Sequence, residues 1–311
     1  MNLSKKVYIL PANENWIVDN FVSEWSCDNQ DMTTSNPFEA DVIWLLASWC
    51  WRQVPEQLLL NKKVLATVHH IVPEKFDDSK RWDFLCRDKY VDAYHVYNQI
   101  TYDFIRNFTD KPIYLLHYWA NQKIWKKTES KESLRDKHNL PKNSFLIGSF
   151  QRDTEGHDLK SPKLEKGPDL FVNFIENIKN SWENWPYKLN RDNLHVVLAG
   201  WRRQYVISRL KSLSINYTYF ELANQETLNE LYQTLDLYPI SSRHEGGPQA
   251  LIECGLLDVP VVSRNVGIAQ QVLLSESIND DIYLATPGKS NVNFWKLPHG
   301  YEQYRKLIKE L

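Results

Sequence analysis

The chain alternates short apolar runs rich in β-branched residues with longer stretches whose apolar residues recur at helical spacing. This alternation predicts βαβ units, in which parallel strands are covered by helices. The predicted strands of the first half are Val7–Leu10, Asp41–Ala47, Lys63–Val68, Ala93–Val96 and Pro112–Leu116. Those of the second half are Phe145–Ser149, Leu194–Ala199, Tyr217–Phe220, Leu235–Ile240 and Val259–Ser263. The predicted fold class is therefore α/β.

The length of 311 residues predicts two such domains, because a typical domain has roughly 150 residues. Residues 120–144 are polar and highly charged, which suits an inter-domain connection with a short helix. We place an N-terminal domain at residues 1–120 and a C-terminal domain at residues 121–296. Residues 297–311 are expected to form a charged amphipathic helix that packs back on the N-terminal domain through Tyr304, Leu307 and Ile308.

The composition excludes several classes of protein. A net charge of -2 provides no general attraction for nucleic acid, so nucleic acid is not expected as a partner. The four cysteines are widely spaced without a CxxC pair, which argues against a zinc site and a disulfide framework. The N-terminal apolar run is too short for a signal peptide, and no run approaches the length of a membrane span. We expect a cytoplasmic protein, and peripheral contact with a membrane stays open.

The most informative stretch is SSRHEGGPQALIECGLLDVPVVSRNVG, which follows a predicted strand. Glu245 ends a loop, Gly246 and Gly247 open a helix, and Glu253 comes eight positions after Glu245. Ligands of open α/β sheets bind beyond the carboxyl ends of strands, where glycines let backbone N–H groups approach a phosphate or a hydroxyl. Both carboxylates are therefore expected to reach one elongated ligand. The alternative is a simple helix start with two solvated glutamates.

This stretch resembles the E-x7-E motif of retaining GT-B glycosyltransferases of the family 4 type, also called glycosyl transferases group 1, with the PVV strand and VG loop that follow it. The resemblance implies a GT-B fold, in which two Rossmann-like α/β/α domains face a central cleft. It implies that Glu245 holds hydroxyls of the donor sugar and that Glu253 holds the nucleotide ribose. The groups expected at the sugar and diphosphate belong to Gly246, Gly247 and Gln249.

The segment IGSFQRDTEGHDLKSPKLEKGPDLFVNFI combines a predicted strand, a loop and an amphipathic helix. Similar family members place an arginine after this strand and a lysine before this helix against the donor diphosphate. Without a metal, the charge of a leaving diphosphate must be met by Arg, Lys and helix dipoles. Arg152 and Lys166 are the candidates, and Gly148 and Ser149 at the strand end are further donor contacts. The loop is longer than the commonest family pattern, so solvated loop charge is an alternative, as is a replacement of Lys166 by Lys160 or Lys163.

The loops after two other strands of the second half are less specific. LAGWRRQY keeps one glycine of the usual G-x-G turn and adds Arg202 and Arg203. Either arginine reaches a phosphate, or both are exposed. The nucleotide base is expected near the backbone of residues 221–224, where side-chain identity says little.

In the first half, His69 and His70 follow the predicted strand Lys63–Val68. Family members carry a histidine in a similar T-x-H position, where it contacts the transferred sugar, and His69 matches that position. A structural role is the alternative. A metal site is disfavoured because adjacent residues on an extended segment point apart. The resemblance places the acceptor at the loop after the first strand, although its usual glycine-rich form is absent here, and the candidates are Asn13, Glu14 and Asn15.

The resemblance implies retaining, metal-independent transfer of a sugar from a UDP- or GDP-linked donor to a glycan or other acceptor, with no cofactor. The departing phosphate takes the acceptor proton on such a path, so no enzymic nucleophile is required, and no Ser-His-Asp or Cys-His arrangement is evident. Two alternatives stay open. One is a GT-B-shaped sugar-nucleotide epimerase, which requires additional acid/base carboxylates, and the other is a non-catalytic scaffold that binds a nucleotide sugar.

Overall fold

The computed structural model describes residues 5–14, 17–181 and 193–311. The chain divides into two compact units, Met1–Tyr118 with Pro298–Leu311 (unit 1) and Trp119–Leu297 (unit 2). The strands are Val7–Ile9 (β1), Val42–Leu45 (β2), Lys63–Val68 (β3), Ala93–Val96 (β4), Ile113–Leu115 (β5), Phe145–Ser149 (β6), Thr154–Glu155 (β7), Ser161–Pro162 (β8), Leu194–Ala199 (β9), Asn216–Phe220 (β10), Tyr238–Ile240 (β11) and Val261–Ser263 (β12). The helices are Ile17–Asp28 (α1), Glu56–Asn61 (α2), Asp78–Asp88 (α3), Gln99–Arg106 (α4), Lys131–Lys137 (α5), Pro168–Ser181 (α6), Gln204–Ser212 (α7), Gln225–Thr234 (α8), Gln249–Leu257 (α9), Ala269–Val272 (α10) and His299–Glu310 (α11). Within these described ranges, no helix is both long and apolar enough to cross a membrane.

Unit 1 is built on a parallel sheet with the strand order β1-β2-β3-β4-β5. Every residue of β2 and β4 is buried, as expected for parallel strands covered on both faces. On one face, Trp44 of β2 packs edge-on against Trp25 of α1 and stacks on Tyr304 of α11, with ring centres 5.6 Å and 5.5 Å apart. The Tyr304 hydroxyl also donates to the carbonyl of His117 at 2.8 Å. The predicted C-terminal helix is thus present, and its predicted apolar side is buried.

Unit 2 contains a parallel sheet with the order β10-β9-β6 and a parallel pair β11-β12. A parallel bridge between Ile147 and Leu237 joins β6 to the segment that leads into β11. The strand order β10-β9-β6-β11-β12 therefore reverses direction at β6. The helical spacing predicts an apolar stripe on α6, and helix α6 covers this sheet with its buried residues Phe171, Phe174, Ile175 and Ile178. Leu170, which the same spacing predicts on this face, is half-buried.

Six predicted strands begin or end differently from the observed ones, and three of them differ by two or more residues at one end. β2 ends at Leu45 because the N–H of Leu46 turns back to the carbonyl of Trp44. β11 begins at Tyr238 rather than Leu235, because the N–H groups of Asp236 and Leu237 both donate to the carbonyl of Leu146. β12 begins two residues later than predicted, at Val261. The short hairpin strands β7 and β8 have no apolar run and were not predicted.

The charged segment 120–144 contains the short helix that was predicted, α5, which packs within unit 2. Arg135 of α5 is buried and donates to the carbonyl of Thr234 and to the carboxylate of Asp236, at 2.8 Å and 2.7 Å. The charge of this segment therefore serves in part to fix α5 against α8.

Candidate functional site

The reversal of strand order at β6 locates a candidate ligand site. In an open parallel sheet, the loops that leave the carboxyl ends of strands on either side of such a reversal diverge and leave a crevice. The two loops here are residues 150–167 after β6 and residues 241–248 after β11. Both of the segments that the sequence singles out in unit 2 therefore end at the same sheet edge.

Gly167 holds these two loops together. Its φ of +60° lies in the left-handed region, and a Cβ at this position would be 1.9 Å from the carbonyl oxygen of Ser241. The N–H groups of Arg243 and His244 donate to the carbonyl of Glu165 at 2.9 Å and 3.2 Å. This close approach requires glycine, and it brings the preceding residue, Lys166, to the loop that carries Glu245.

Lys166 and Glu245 form the central contact of the site. The Lys166 Nζ donates to Glu245 Oε1 at 2.6 Å, and the side chains are 21% and 11% exposed. The Ser242 hydroxyl also lies 2.8 Å from Glu245 Oε1. Gln151, which the sequence reasoning missed although it adjoins Arg152, donates through Nε2 to the carbonyl of Lys166 at 2.9 Å and lies 3.2 Å from the Ser242 hydroxyl. These four residues form one cluster, which contains the cation and the carboxylate that are predicted to bind the donor, Lys166 and Glu245.

The alternative lysines lie elsewhere. Lys163 Nζ is 3.8 Å from Glu165, and Lys160 is exposed in the turn that joins β7 to β8. Of the three lysines, the structure brings Lys166 to Glu245.

The start of α9 forms another wall of the site. Gly246, Gly247 and Pro248 are buried, and α9 begins at Gln249 without a side-chain cap. Gly267 packs on this turn, since a Cβ there would be 2.9 Å from the carbonyl oxygen of Gly246. The Nε2 atom of Gln249 is buried and has no acceptor within the part of the chain that the structure describes. The turn thus offers helix N-terminal N–H groups and one further donor.

Glu253 lies on the second turn of α9 and is 8% exposed. Burial raises the pKa of Tyr232 well above its ordinary value, and the negative charge of nearby Glu253 adds to this rise. Glu253 is therefore a mostly buried carboxylate close to Tyr232, and not a solvated one.

Arg152 follows β6 and has two contacts. Its Nε donates to the carbonyl of Thr154 at 3.1 Å, and its guanidinium lies 5.2 Å from the centre of the Trp201 ring. The guanidinium of Arg202 is 4.4 Å from the same ring. Trp201 therefore groups two arginines beyond the ends of β6 and β9.

The sequence leaves two alternatives for Arg202 and Arg203: either one reaches a phosphate, or both are exposed. The second alternative is wrong, because Arg203 has no exposed surface. Its Nε lies 2.8 Å from Asp153 Oδ2, and its Nη2 donates to the Ser149 hydroxyl at 2.8 Å. Burial raises the pKa of Asp153, and the charge of Arg203 opposes that rise. The hydroxyl of Ser149, predicted to contact the donor, is thus engaged inside unit 2. Gly148 lies within β6, where a Cβ would be 2.3 Å from Leu235 Cδ1.

In unit 1, His69 lies directly after β3. Its Nε2 donates to the carbonyl of Leu46 at 2.9 Å, which leaves Nδ1 as the acceptor for the Tyr118 hydroxyl at 3.4 Å. Burial lowers the pKa of His69 to about 4, so the ring is neutral near pH 7. Asn13 and Glu14 are exposed in the loop after β1. Asn15 lies outside the described residues.

Across residues 5–14, 17–181 and 193–311, no three His, Cys, Asp or Glu side chains gather closely enough to hold a metal ion.

Comparison with known proteins adds a family and a fold. Residues 130–286, half of the chain, match the family described as Glycosyl transferases group 1. A search of curated protein sequences gave no match. Among solved structures, Anabaena HepE in complex with UDP and glucose superposes with a TM-score of 0.66 at 12% identity, over 98% of this chain and 92% of that one.

Two further solved structures are similar. The UDP-forming α,α-trehalose-phosphate synthase of Burkholderia xenovorans gives a TM-score of 0.58 at 12% identity, over 94% of this chain and 73% of that one. The sucrose-phosphate synthase of Thermosynechococcus elongatus gives a TM-score of 0.57 at 16% identity, over 83% of this chain. This chain spans only 63% of the length of that synthase. Identities this low show the fold alone. That fold is the GT-B type, so the predicted fold class is confirmed.

Proposed function

The chain belongs to the glycosyl transferases group 1 family, and from that premise we propose that it is a retaining, metal-independent glycosyltransferase of the family 4 type. Its donor is a nucleoside-diphosphate hexose bound by unit 2, and its acceptor, a glycan or another hydroxyl compound, is bound by unit 1. UDP-linked donors are the first to test, since Anabaena HepE was solved with UDP-glucose.

The observation that carries this proposal is the contact between Lys166 and Glu245 at the point where the strand order reverses. In a nucleotide sugar, the diphosphate is an anion that can pair with Lys166, and the sugar hydroxyls can donate hydrogen bonds to Glu245. Such a ligand therefore gives both side chains new partners when it breaks their mutual contact. The helix N-terminus at Gln249 and the guanidinium of Arg152 meet the remaining negative charge. Glu253, farther along α9, is assigned to the ribose.

In the reaction, the bond from the anomeric carbon to the diphosphate oxygen breaks, and a bond to the acceptor oxygen forms on the same face. The acceptor proton passes to the departing phosphate oxygen. Lys166, Arg152 and the start of α9 stabilise the charge that develops on the diphosphate. His69, neutral and held by the carbonyl of Leu46, is assigned to a contact with the transferred sugar.

The experiment is a thermal-shift screen with UDP, GDP, ADP, CMP and their common sugars, in EDTA and in Mg²⁺. A ligand at 100 times its dissociation constant stabilises by about 2.7 kcal/mol, a rise of about 5–10 °C for a domain of this size. Lys166→Met should abolish the shift, and Lys160→Met, a lysine of the same loop, should retain it. The reverse result would assign Lys160 instead, and no shift with any nucleotide would refute the proposal.

Catalysis is tested at the two glutamates. Glu245→Gln should abolish transfer, because the neutral amide accepts sugar hydroxyls less strongly than a carboxylate. Glu253→Ala should mainly raise the KM for the donor. Normal turnover in Glu245→Gln would contradict the role given to Glu245, and a requirement for a divalent ion would contradict the metal-independent mechanism.

A further inference from the structure

Three of the tryptophans that the structure describes are exposed: Trp49 by 48%, Trp82 by 66% and Trp201 by 45%. The guanidinium groups of Arg152 and Arg202 lie over the Trp201 ring, and Trp82 lies on α3. Trp49 lies just beyond the carboxyl end of β2, at the edge of a parallel sheet where ligands bind.

The turn that carries Trp49 is anchored on both sides. Ser48 is buried, and its carbonyl accepts a hydrogen bond from Arg87 Nη1 at 3.2 Å. Trp51 is buried, and its Nε1 donates to Asp83 at 3.2 Å. Trp49 is therefore presented outward from a fixed backbone, which limits the entropy lost when a ligand stacks on it.

Two residues from neighbouring strand ends flank the Trp49 ring. Its Nε1 donates to Glu14 Oε1 at 3.3 Å, and its ring centre lies 5.6 Å from that of His69 at an inclination of 60°. Glu14 follows β1 in a loop fixed by Asp19, whose carboxylate accepts from the N–H groups of residues 12, 13 and 14. The ends of β1, β2 and β3 thus contribute a carboxylate, an aromatic face and an imidazole to one cluster.

We infer that Trp49 is the stacking platform of an acceptor subsite that takes a neutral pyranose, with Glu14 accepting hydrogen bonds from its hydroxyls. The apolar C–H face of a pyranose suits an exposed indole, and an ionised carboxylate accepts hydrogen bonds only. The Trp49 ring contacts the carboxylate of Glu14 and the uncharged ring of His69, and Asp19 adds a second carboxylate that holds the loop of Glu14, so a phosphorylated acceptor is disfavoured. This inference rests on the proposed function and narrows its acceptor to a neutral saccharide.

Binding is tested by saturation-transfer difference NMR on the full chain, with methyl glucopyranosides, methyl galactopyranosides, maltose, cellobiose and glucose 6-phosphate as probes. At least one neutral probe should show saturation of its ring C–H protons, and glucose 6-phosphate should show less. The signal should be lost in Trp49→Ala, weakened in Trp49→Phe and unchanged in the matched control Trp82→Ala. No signal with any neutral probe, or equal signals in the two alanine variants, would overturn the inference.

Charge selection and kinetics give independent readouts. Glu14→Gln keeps an acceptor for the Trp49 N–H but removes the charge, so discrimination against glucose 6-phosphate should relax. Once a donor is known, Trp49→Ala should raise the acceptor KM about tenfold, a change of about 1.4 kcal/mol, and leave the donor KM unchanged. A nucleotide shift without any Trp49-dependent saccharide signal would refute this inference and spare the proposed function. A Trp49-dependent signal without any nucleotide shift would refute the proposed function and, with it, the acceptor role of the site, and would leave only saccharide binding at Trp49.

Discussion

The buried pair of Arg203 and Asp153 allows a quantitative prediction. Arg203 has no exposed surface, the Asp153 side chain is 2% exposed, and their charged atoms are 2.8 Å apart. Replacing Arg203 with methionine keeps most of the volume but leaves the carboxylate of Asp153 buried without its counter-charge. Breaking a buried pair in this way costs about 3–5 kcal/mol. For a domain of this size, we expect the melting temperature of unit 2 to fall by about 6–20 °C.

The pH dependence identifies the cause. Removal of Arg203 raises the pKa of Asp153 in the folded state further above its unfolded value of about 3.9. A group whose folded pKa is raised contributes stability below the unfolded pKa and loses it as pH increases. The deficit of Arg203→Met relative to wild type should therefore be small near pH 4 and largest above pH 7.

The assay is differential scanning calorimetry at pH 4, 5.5 and 7.5. The control is Arg209→Met, which removes an exposed arginine from α7, the helix that directly follows Arg203, and should change stability by less than about 0.5 kcal/mol. The double variant Asp153→Asn/Arg203→Met should be more stable than Arg203→Met alone, because no buried charge remains. A deficit below about 1 kcal/mol, or a double variant less stable than the single one, would refute the reasoning.

Three further predictions concern other parts of the chain. Burial lowers the pKa values of His69 and His95 to about 4 and about 3, so the unfolded chain takes up protons before the folded chain does as pH falls below about 6.5. Unit 1 should therefore lose stability between about pH 6.5 and 4. His95→Gln should flatten this dependence in pH-resolved thermal melts, and an unchanged slope would contradict the prediction. Gly167→Ala should destabilise by more than the roughly 1–2 kcal/mol of left-handed strain and should reduce the nucleotide-induced shift. Gly156→Ala, at φ +80° but with the flexible Asp158 side chain as its nearest neighbour and Ser161 at ordinary contact distance, should cost the strain alone in urea denaturation. Tyr304→Ala should cost about 3–5 kcal/mol in the same assay and Tyr304→Phe about 1 kcal/mol, because the second keeps the stacking on Trp44 and loses the hydroxyl, with its hydrogen bond to the carbonyl of His117 and its 3.4 Å contact with Nε2 of His95. Equal losses would show that these hydroxyl contacts dominate.

The fold was predictable because apolar residues recur along the sequence with the spacing of buried strands and amphipathic helices. Buried parallel strands such as Lys63–Val68 and Leu194–Ala199 appear in the sequence as apolar runs bounded by polar residues, and α6 shows its apolar stripe at helical spacing. Strand ends were less predictable. Whether residues 236 and 237 join β11 depends on which carbonyl their N–H groups reach, and that carbonyl belongs to Leu146 in a distant segment.

The site was predictable in part. The spacing of Glu245 and Glu253 is local, so it could be read from the sequence. The contact between Lys166 and Glu245 depends on the fit of Gly167 against Ser241, which no local pattern reveals. Adjacent residues of similar type also diverge: Arg203 is buried beside half-buried Arg202, and Trp51 is buried two residues from exposed Trp49. Composition cannot separate such neighbours, because their difference arises from tertiary packing.

The loop between β6 and α6 carries Arg152 and Lys166, the two cations assigned to the diphosphate, and its length bears on how firmly they are held. Its extra residues fold into the β7-β8 hairpin, which carries residues 156–160 outward to an exposed tip. Each end of the loop is fixed separately, at Asp153 by Arg203 and at Gly167 by the carbonyl of Ser241. Electrostatic stabilisation of a leaving group requires charges held at fixed positions before the reaction, because charges that must reorganise lose that advantage. Arg152 and Lys166 each adjoin one of the two anchors, so the insertion lengthens the loop without loosening the two cations assigned to the diphosphate.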